Sequence, residues 1–378
     1  MSTLIQNVRI VSPDLDIADG QILIEDGRIS QVLEAGEKPV ADEVIDGGGR
    51  IAMPGFFDIH CHGADRCDVC DDDLDGIRHI AKRKLQEGVT TWLPTTLTQP
   101  KEKLQSIVGT VAEYMANPEF TRCPGLHIEG PFINVSKAGA QNPEFVREPD
   151  FSEIEALHAI APALIVSLAP DVKGAVDFIA EATKAGITTS AAHTAATCEQ
   201  VMAAKEAGLT HLTHFGNAMT PLHHREIGVV GTGLLDDELM IELICDTIHL
   251  CPDMLKLLFK RVSIDRLMMI TDSMAASWVD KGEVMLGGLE VVVENDTARL
   301  KEGGALAGSA LRYNLGVKHV AGITELPLDQ LVKATSWNQA RSLGLEGFGK
   351  IEAGFHADLV LLNSDFSVHQ TLVAGEVK

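Results

Sequence analysis

The sequence predicts an α/β protein: a (β/α)8 barrel with a small β-sandwich domain built from both chain ends. Three observations lead there. Between about residues 52 and 272, short apolar runs alternate with segments rich in Ala, Glu, Lys and Leu, and eight such runs can be counted. Residues 1–52 and 345–378 instead read as strands joined by Gly- and Asp-containing turns. Finally, His or a carboxylate repeatedly stands at the end of an apolar run, where a barrel would gather side chains at one mouth.

Taken in order, residues 4–11, 20–29 and 43–46 cluster β-formers, and Asp26-Gly27 between two β-forming runs is a strong hairpin signal. The barrel strands are expected at residues 52–60, 90–94, 125–129, 164–168, 187–193, 210–214, 240–246 and 267–272. Helical patterns fill 77–87, 101–115, 175–185 and 199–207. Two or three strands are expected within 284–301, a helix at 328–342 after Pro327, and a return to β-like sequence from 349. The domains are therefore 1–52 with 345–378 as the sandwich and 53–344 as the catalytic barrel. An open doubly wound sheet is the alternative, but no Gly-x-Gly-x-x-Gly turn follows the first strand.

Composition narrows the function. The 378 residues are 45% hydrophobic with a mean hydropathy of +0.10, enough for a sizeable core. No stretch approaches the ~18 uninterrupted apolar residues of a membrane span. The first ten residues lack the basic and apolar regions of a signal peptide, so a cytoplasmic location is expected. Seven scattered cysteines fit reduced thiols, and the single Cys67-Asp-Val-Cys70 lacks the second pair a structural zinc site needs. With 54 acidic against 31 basic residues the formal charge is −23, which argues against a nucleic acid partner. An anionic small substrate would need local cations to overcome that field.

The chemistry begins at His60-Cys61-His62. In a strand, residues i and i+2 share a face, so both imidazoles can reach one ion. Alone, the pair reads as readily as two turn histidines. Glu129, His193, His214 and Asp272 at the ends of later strands change the balance. Four His, one Glu and one Asp converging at a barrel mouth form the ligand set of a zinc-type hydrolytic site with an open position for water.

The same residues carry a family resemblance. Pro54-Gly-Phe-x-Asp58-x-His60-x-His62-Gly63 and the strand-end His, His and Asp resemble the amidohydrolase superfamily, whose barrel type is then implied. Within it, His127-Ile-Glu-Gly-Pro-Phe132, Asn217-Ala-Met219, Arg225-Glu226, Asp246-x-x-His249 and Leu306-Ala-Gly-Ser309 resemble the N-acetylglucosamine-6-phosphate deacetylase family. So does the closing stretch from Asn338 through Ala357-Asp358-Leu359. The resemblance implies hydrolysis of the acetamide of N-acetyl-D-glucosamine 6-phosphate to glucosamine 6-phosphate and acetate in amino-sugar catabolism. It assigns Glu129, His193 and His214 to a divalent metal, most simply Zn2+, with Fe, Co or Mn compatible. Asp272 becomes the general base. The fourth strand lacks the terminal Lys of many two-metal relatives, so Glu129 is the expected bridge, and His60 with His62 would hold a second ion. Gln141, Ala140, Asn217, Ala218, Arg225, His249, Leu306 and Ala307 are the implied substrate-binding residues. Arg225 and His249 supply cations for the phosphate, with Arg225 reaching a neighbouring subunit and hence a homodimer.

One departure stands out. Lys137-Ala-Gly-Ala-Gln141 carries Gln where the family has a carbonyl-polarising His, and an amide donates a hydrogen bond but no proton. A second metal held by His60 and His62 would compensate. His127 and His211 are expected behind the ligands, His223 and His224 at the rim, and His79, His158, His319, His356 and His369 in structural roles. The alternative within the chemistry is the C4 epimer, N-acetyl-D-galactosamine 6-phosphate, since Trp92-Leu-Pro-Thr-Thr96 and Leu222-His-His-Arg-Glu226 resemble that sister branch. A dihydroorotase-type cyclic-amide hydrolase is disfavoured by Glu129 and the missing Lys. A non-catalytic amidohydrolase-like scaffold should show broken ligand positions, and here all are intact.

Overall fold

The structure, a computed structural model, describes residues 2–37 and 39–378. Eight parallel strands, Phe56–Cys61, Val89–Thr96, Leu126–Glu129, Ala163–Leu168, Thr188–Ala191, His211–Leu212, Met240–Ile244 and Leu267–Ile270, pair in sequence order. The last returns to the first: Asp272 N–H donates to His60 C=O and His62 N–H to Ser273 C=O, both at 2.8 Å. The sheet is thus a closed barrel, as expected. Both faces of its strands are covered, which is why runs such as Phe56–Cys61 and Val89–Thr96 are buried at every residue rather than alternating.

Helices wrap the barrel where the sequence supplies caps. Asp73 accepts from the N–H groups of Asp75 and Gly76 to start Leu74–Gln86. Thr197 and Gln200 form a reciprocal capping box at the head of Cys198–Ala207, and Gly208 at φ 120° closes it.

Both chain ends meet in one seven-stranded sheet, ordered Glu376–Val377, Val368–Val373, Leu359–Leu362, Glu43–Pro54, Ser2–Ser12, Leu15–Glu25, Arg28–Glu34. The hairpin at Asp26-Gly27 forms with both residues at positive φ, 50° and 74°. Its inner face closes over Ile5, Ile10, Ile22, Ala52, Leu359 and Leu361. The run expected as one strand at 52–60 is divided. Ala52, Met53 and Pro54 pair antiparallel with Leu361, Val360 and Leu359 in this sheet, and the barrel strand starts at Phe56. Gly55 is the joint, for a Cβ there would lie 2.2 Å from the Thr90 side chain.

The segment after the eighth strand forms a three-stranded antiparallel sheet, Lys281–Leu286, Leu289–Glu294 and Thr297–Leu300, over the barrel mouth. The helix expected at 328–342 is broken into Leu328–Leu331, a 3-10 turn Val332–Thr335 and Trp337–Ser342. The reason lies in the barrel. Asn338 donates to the carbonyls of Ile264 and Leu267 at 2.8 Å each, and Gln339 to Met269 at 3.0 Å, so the chain turns at Ser336 to present both amides. Among the described residues no helix is long and apolar enough to cross a membrane.

Candidate active site

The strand ends hand their functional residues to a common centre through an unusual backbone. His193, His214 and Asp272 each follow their strands by two residues and adopt left-handed φ of 42°, 32° and 49°. Non-glycine residues there cost about 1–3 kcal/mol each, and such strain persists where the surroundings fix it. His60 lies within the first strand, His62 just beyond its end, and Glu129 is the last residue of the third.

All six side chains meet. Glu129 Oε1 is 3.3 Å from His193 Nε2, 3.2 Å from His214 Nε2 and 3.6 Å from His60 Nε2, while its Oε2 is 3.4 Å from His62 Nε2. Asp272 Oδ1 stands 3.2 Å from His62 Nε2 and 3.4 Å from His60 Nε2. Two three-ligand groups result, His60–His62–Glu129 and Glu129–His193–His214, sharing the one carboxylate. Every ring turns Nε2 inward. Three of the four Nδ1 atoms are held from behind: His60 by Glu242 Oε2 at 3.1 Å, His62 by Thr95 O at 3.1 Å and His193 by Lys137 O at 2.9 Å. That outer shell is what orients imidazoles toward a metal.

The electrostatics fit the same purpose. Burial alone would raise the Glu129 carboxyl, yet the four imidazoles hold it well below the usual range. Burial pushes His60 well below an ordinary imidazole. His62 moves the other way, because Asp272 and Glu129 outweigh its desolvation. Four rings that turn Nε2 onto two carboxylates form a donor set for a divalent cation, and the buried His and carboxylate ligands fit one. In a third grouping, His60–His127–Glu242, His60 Nδ1 already bonds Glu242 Oε2 and both His127 nitrogens have partners outside it. His127 is bonded to Ile59 O at 3.0 Å and Ser167 Oγ at 2.6 Å, behind the ligands as expected. His211 is also behind them: burial, with His127 adding to it, pushes its ring down to about 3, and neither nitrogen has a partner among the described residues.

A cavity of about 330 Å³ opens above this floor. Of the residues expected to touch substrate, Gln141, Ala140, Asn217, Ala218, His249 and Leu306 line it. Ala218 sits at φ 50°, and no acceptor for its N–H is found among the described residues. His249 is fixed by Asp246, Nδ1 to Oδ2, at 2.7 Å. Gln141 is tightly engaged: its Nε2 donates to Glu129 Oε2 at 2.5 Å and its Oε1 accepts the Thr98 N–H at 2.6 Å. Ala307 is fully buried, its N–H donating to Ala298 O at 3.1 Å, and lies outside the lining. Arg225 is also outside it, on the exposed loop 221–226 with His223, its guanidinium 2.7 Å from His224 Nε2.

Sequence reasoning missed Glu242. The signal was present, a lone charge inside the apolar run Met240-Ile-Glu-Leu-Ile244, a strand buried at every residue. It also missed Lys137, which lines the cavity and lends a carbonyl to His193.

The chain matches the model of the amidohydrolase family over residues 51–378. It is 35% identical to the N-acetylglucosamine-6-phosphate deacetylase of Bacillus subtilis strain 168, covering 100% of this chain and 97% of that one. It is 32% identical to the N-acetylgalactosamine-6-phosphate deacetylase of Escherichia coli O157:H7, covering 100% and 99%. A variant of N-acetyl-D-glucosamine-6-phosphate deacetylase from Mycobacterium smegmatis, solved in complex with N-acetyl-D-glucosamine 6-phosphate, superposes with a TM-score of 0.93 at 29% identity over 100% of this chain and 98% of that one.

Proposed function

The chain belongs to the amidohydrolase family, and from that premise we propose that it hydrolyses the acetamide of N-acetyl-D-glucosamine 6-phosphate to glucosamine 6-phosphate and acetate. The observation that carries the reading is Glu129 shared between two histidine pairs, with Asp272 facing them at the base of a cavity sized for a sugar phosphate. The buried His/carboxylate set suits Zn2+, one or two per subunit. Bound there, such an ion supplies Lewis acidity that brings the pKa of water from ~15.7 towards ~7.

The chain's own groups do the rest. Asp272 takes a proton from the attacking water and returns it to the sugar nitrogen as the C–N bond breaks, leaving acetate and a free amine. Placing its Oδ1 within 3.4 Å of two ligand rings puts that base beside the reacting centre. Gln141 spends one amide hydrogen on Glu129 and keeps a second for the acetyl carbonyl. At the far end, His249, Asn217 and the unpaired Ala218 N–H offer donors to phosphate, while Ala140 and Leu306 border the sugar. Arg225 has no role inside its own cavity, which supports its reaching the site of a second copy in a homodimer. Seven unpaired thiols suit a cytoplasmic location.

The galacto epimer is the second reading, favoured by the full-length similarity to the Escherichia coli enzyme. Side-by-side kcat/KM on the two phosphorylated sugars, with N-acetylglucosamine as the unphosphorylated control, tests both. We expect acetate release from the gluco substrate at least tenfold faster than from its epimer. No release from either ends the deacetylase reading.

A further inference from the structure

Behind the first and eighth barrel strands lies a cluster of charges with no part in the chemistry above. Asp58, Lys84 and Glu87 are all completely buried. Lys84 Nζ lies 3.3 Å from Asp58 Oδ2 and 3.0 Å from Glu87 Oε2. The outer anion is fixed in turn, accepting from Trp278 Nε1 at 2.8 Å and from the Tyr313 N–H at 2.9 Å. Ions out of water are a poor way to gain stability, because apolar residues of the same volume often serve as well or better. What the cluster does provide is direction.

All of its inner contacts converge on Thr271. The hydroxyl donates to Asp58 Oδ2 at 2.5 Å and accepts from Lys84 Nζ at 3.2 Å, while the Thr271 N–H donates to Asp58 Oδ1 at 3.1 Å. The next residue is Asp272, in its left-handed conformation. From Thr271 to Ser273 every backbone polar group is tied. Ser309 binds the carbonyls of Thr271 through its hydroxyl at 2.6 Å and of Asp272 through its N–H at 2.8 Å. Asp272 N–H goes to His60 O at 2.8 Å, Ser273 N–H to the Thr271 hydroxyl at 3.2 Å, and Ser273 O receives His62 N–H at 2.8 Å. In these three residues only the Asp272 carboxylate is left to face the cavity.

We infer that Asp58, Lys84 and Glu87, acting through Thr271, form a positioning device that holds Asp272 in its strained backbone and aims its carboxylate at the reacting centre. The inference rests on Asp272 being the base. Misplacing a reacting group by about 1 Å can cost about 10²-fold in rate, so a device of this kind acts on kcat.

The test is a set of variants with turnover, KM, metal content and melting temperature read on each. Thr271→Val keeps the shape and removes the hydroxyl; Thr271→Ser restores it. We expect Thr271→Val to lose about 10- to 100-fold in kcat with KM and bound metal unchanged. Thr271→Ser should stay within about threefold of the parent. A Thr271→Val protein that melts lower but keeps its kcat would overturn the proposal, since the cluster would then only stabilise. So would a loss of kcat matched by an equal loss of metal. If Thr271→Val does not fold, Glu87→Gln at the outer end takes its place, and unchanged kcat there overturns the proposal equally. Asp272→Asn is measured alongside. If it keeps full turnover, the base assignment fails and takes the inference with it; if it is inactive while Thr271→Val is not, the inference alone fails.

Discussion

The floor of the cavity and its rim follow opposite rules. On the floor, His60, His62, Glu129, His193, His214 and Asp272 are buried and sit on or just beyond barrel strands, and three of the four imidazoles are held from behind through Nδ1. At the expected rim, the loop 221–226 is exposed, and among the described residues the Arg225 guanidinium finds only the neighbouring His224. The contrast teaches that the groups proposed to break the bond are brought together by one chain. On the proposed reading, His249, Asn217 and the Ala218 N–H meet the charged end from within the same chain, and Arg225 joins them only from a second copy. Preorganisation is worth most where charge develops, and a surface loop suffices where a phosphate has only to be captured.

The strongest way to break this contrast is to empty the floor. Stripping divalent metal with a chelator, or replacing Glu129 by Gln, should lower turnover by at least about 10³-fold. Zinc should restore the stripped protein but not the variant. Metal analysis together with an acetate assay reads both, and a Glu129→Gln protein that kept two metals and its rate would show that the carboxylate is not the shared ligand. Asp272→Asn comes next, with about 10²- to 10⁴-fold lost in kcat at unchanged metal content, because only the proton acceptor is removed.

The rim should respond in a different parameter. Arg225→Met is expected to raise KM for the phosphorylated sugar about 10- to 100-fold, the value of one charge-assisted contact, and to leave kcat within about threefold. The unphosphorylated sugar should not notice the change. A fall in kcat with unchanged KM would move Arg225 into the machinery of the floor and erase the distinction. Gln141 sits on the boundary, lining the cavity while bonded to Glu129. Gln141→His should change kcat less than about tenfold, and should release the Glu129 oxygen that Gln141 now holds. If the variant binds fewer metals than the parent, Gln141 belongs to the floor.

The same division explains what the sequence could disclose. The six floor residues were legible because each stands at a strand end, and strand ends can be read from local apolar runs without knowing any partner. The eight-strand order was legible for the same reason. What escaped was through-space. Glu242 supports His60 from the seventh strand, 182 positions away, and Lys84 meets Thr271 at a separation of 187. Neither relation has a period or a spacing. The break at Ser336 was hidden because propensity favoured one helix, while the carbonyls that Asn338 and Gln339 seek lie on the eighth barrel strand and the turn before it, some seventy positions earlier. Gly55 divided the 52–60 run for a reason visible only once Thr90 lies against it.

The smallest expected effect concerns how the floor is anchored to the shell of helices. The loop after His62 ends at Asp72, in a left-handed conformation. Its carboxylate ties that loop to the helix Lys101–Ala116 through Ser106 Oγ at 2.6 Å, Thr110 Oγ1 at 2.7 Å and Lys103 Nζ at 3.3 Å. Burial alone would raise the Asp72 carboxyl, but these three donors outweigh it and hold it below its ordinary value. A carboxyl depressed in the folded state adds stability that is fully present above its unfolded pKa, about 3.9, and is lost as pH falls through the folded pKa. Asp72→Asn should therefore melt lower than the parent at neutral pH, by about 1 kcal/mol in stability. The difference should shrink below about pH 4 as the parent's carboxylate takes up its proton. Melting curves across pH 3–7 measure it, and a gap between the two proteins that did not narrow in acid would mean that Asp72 acts through shape rather than charge.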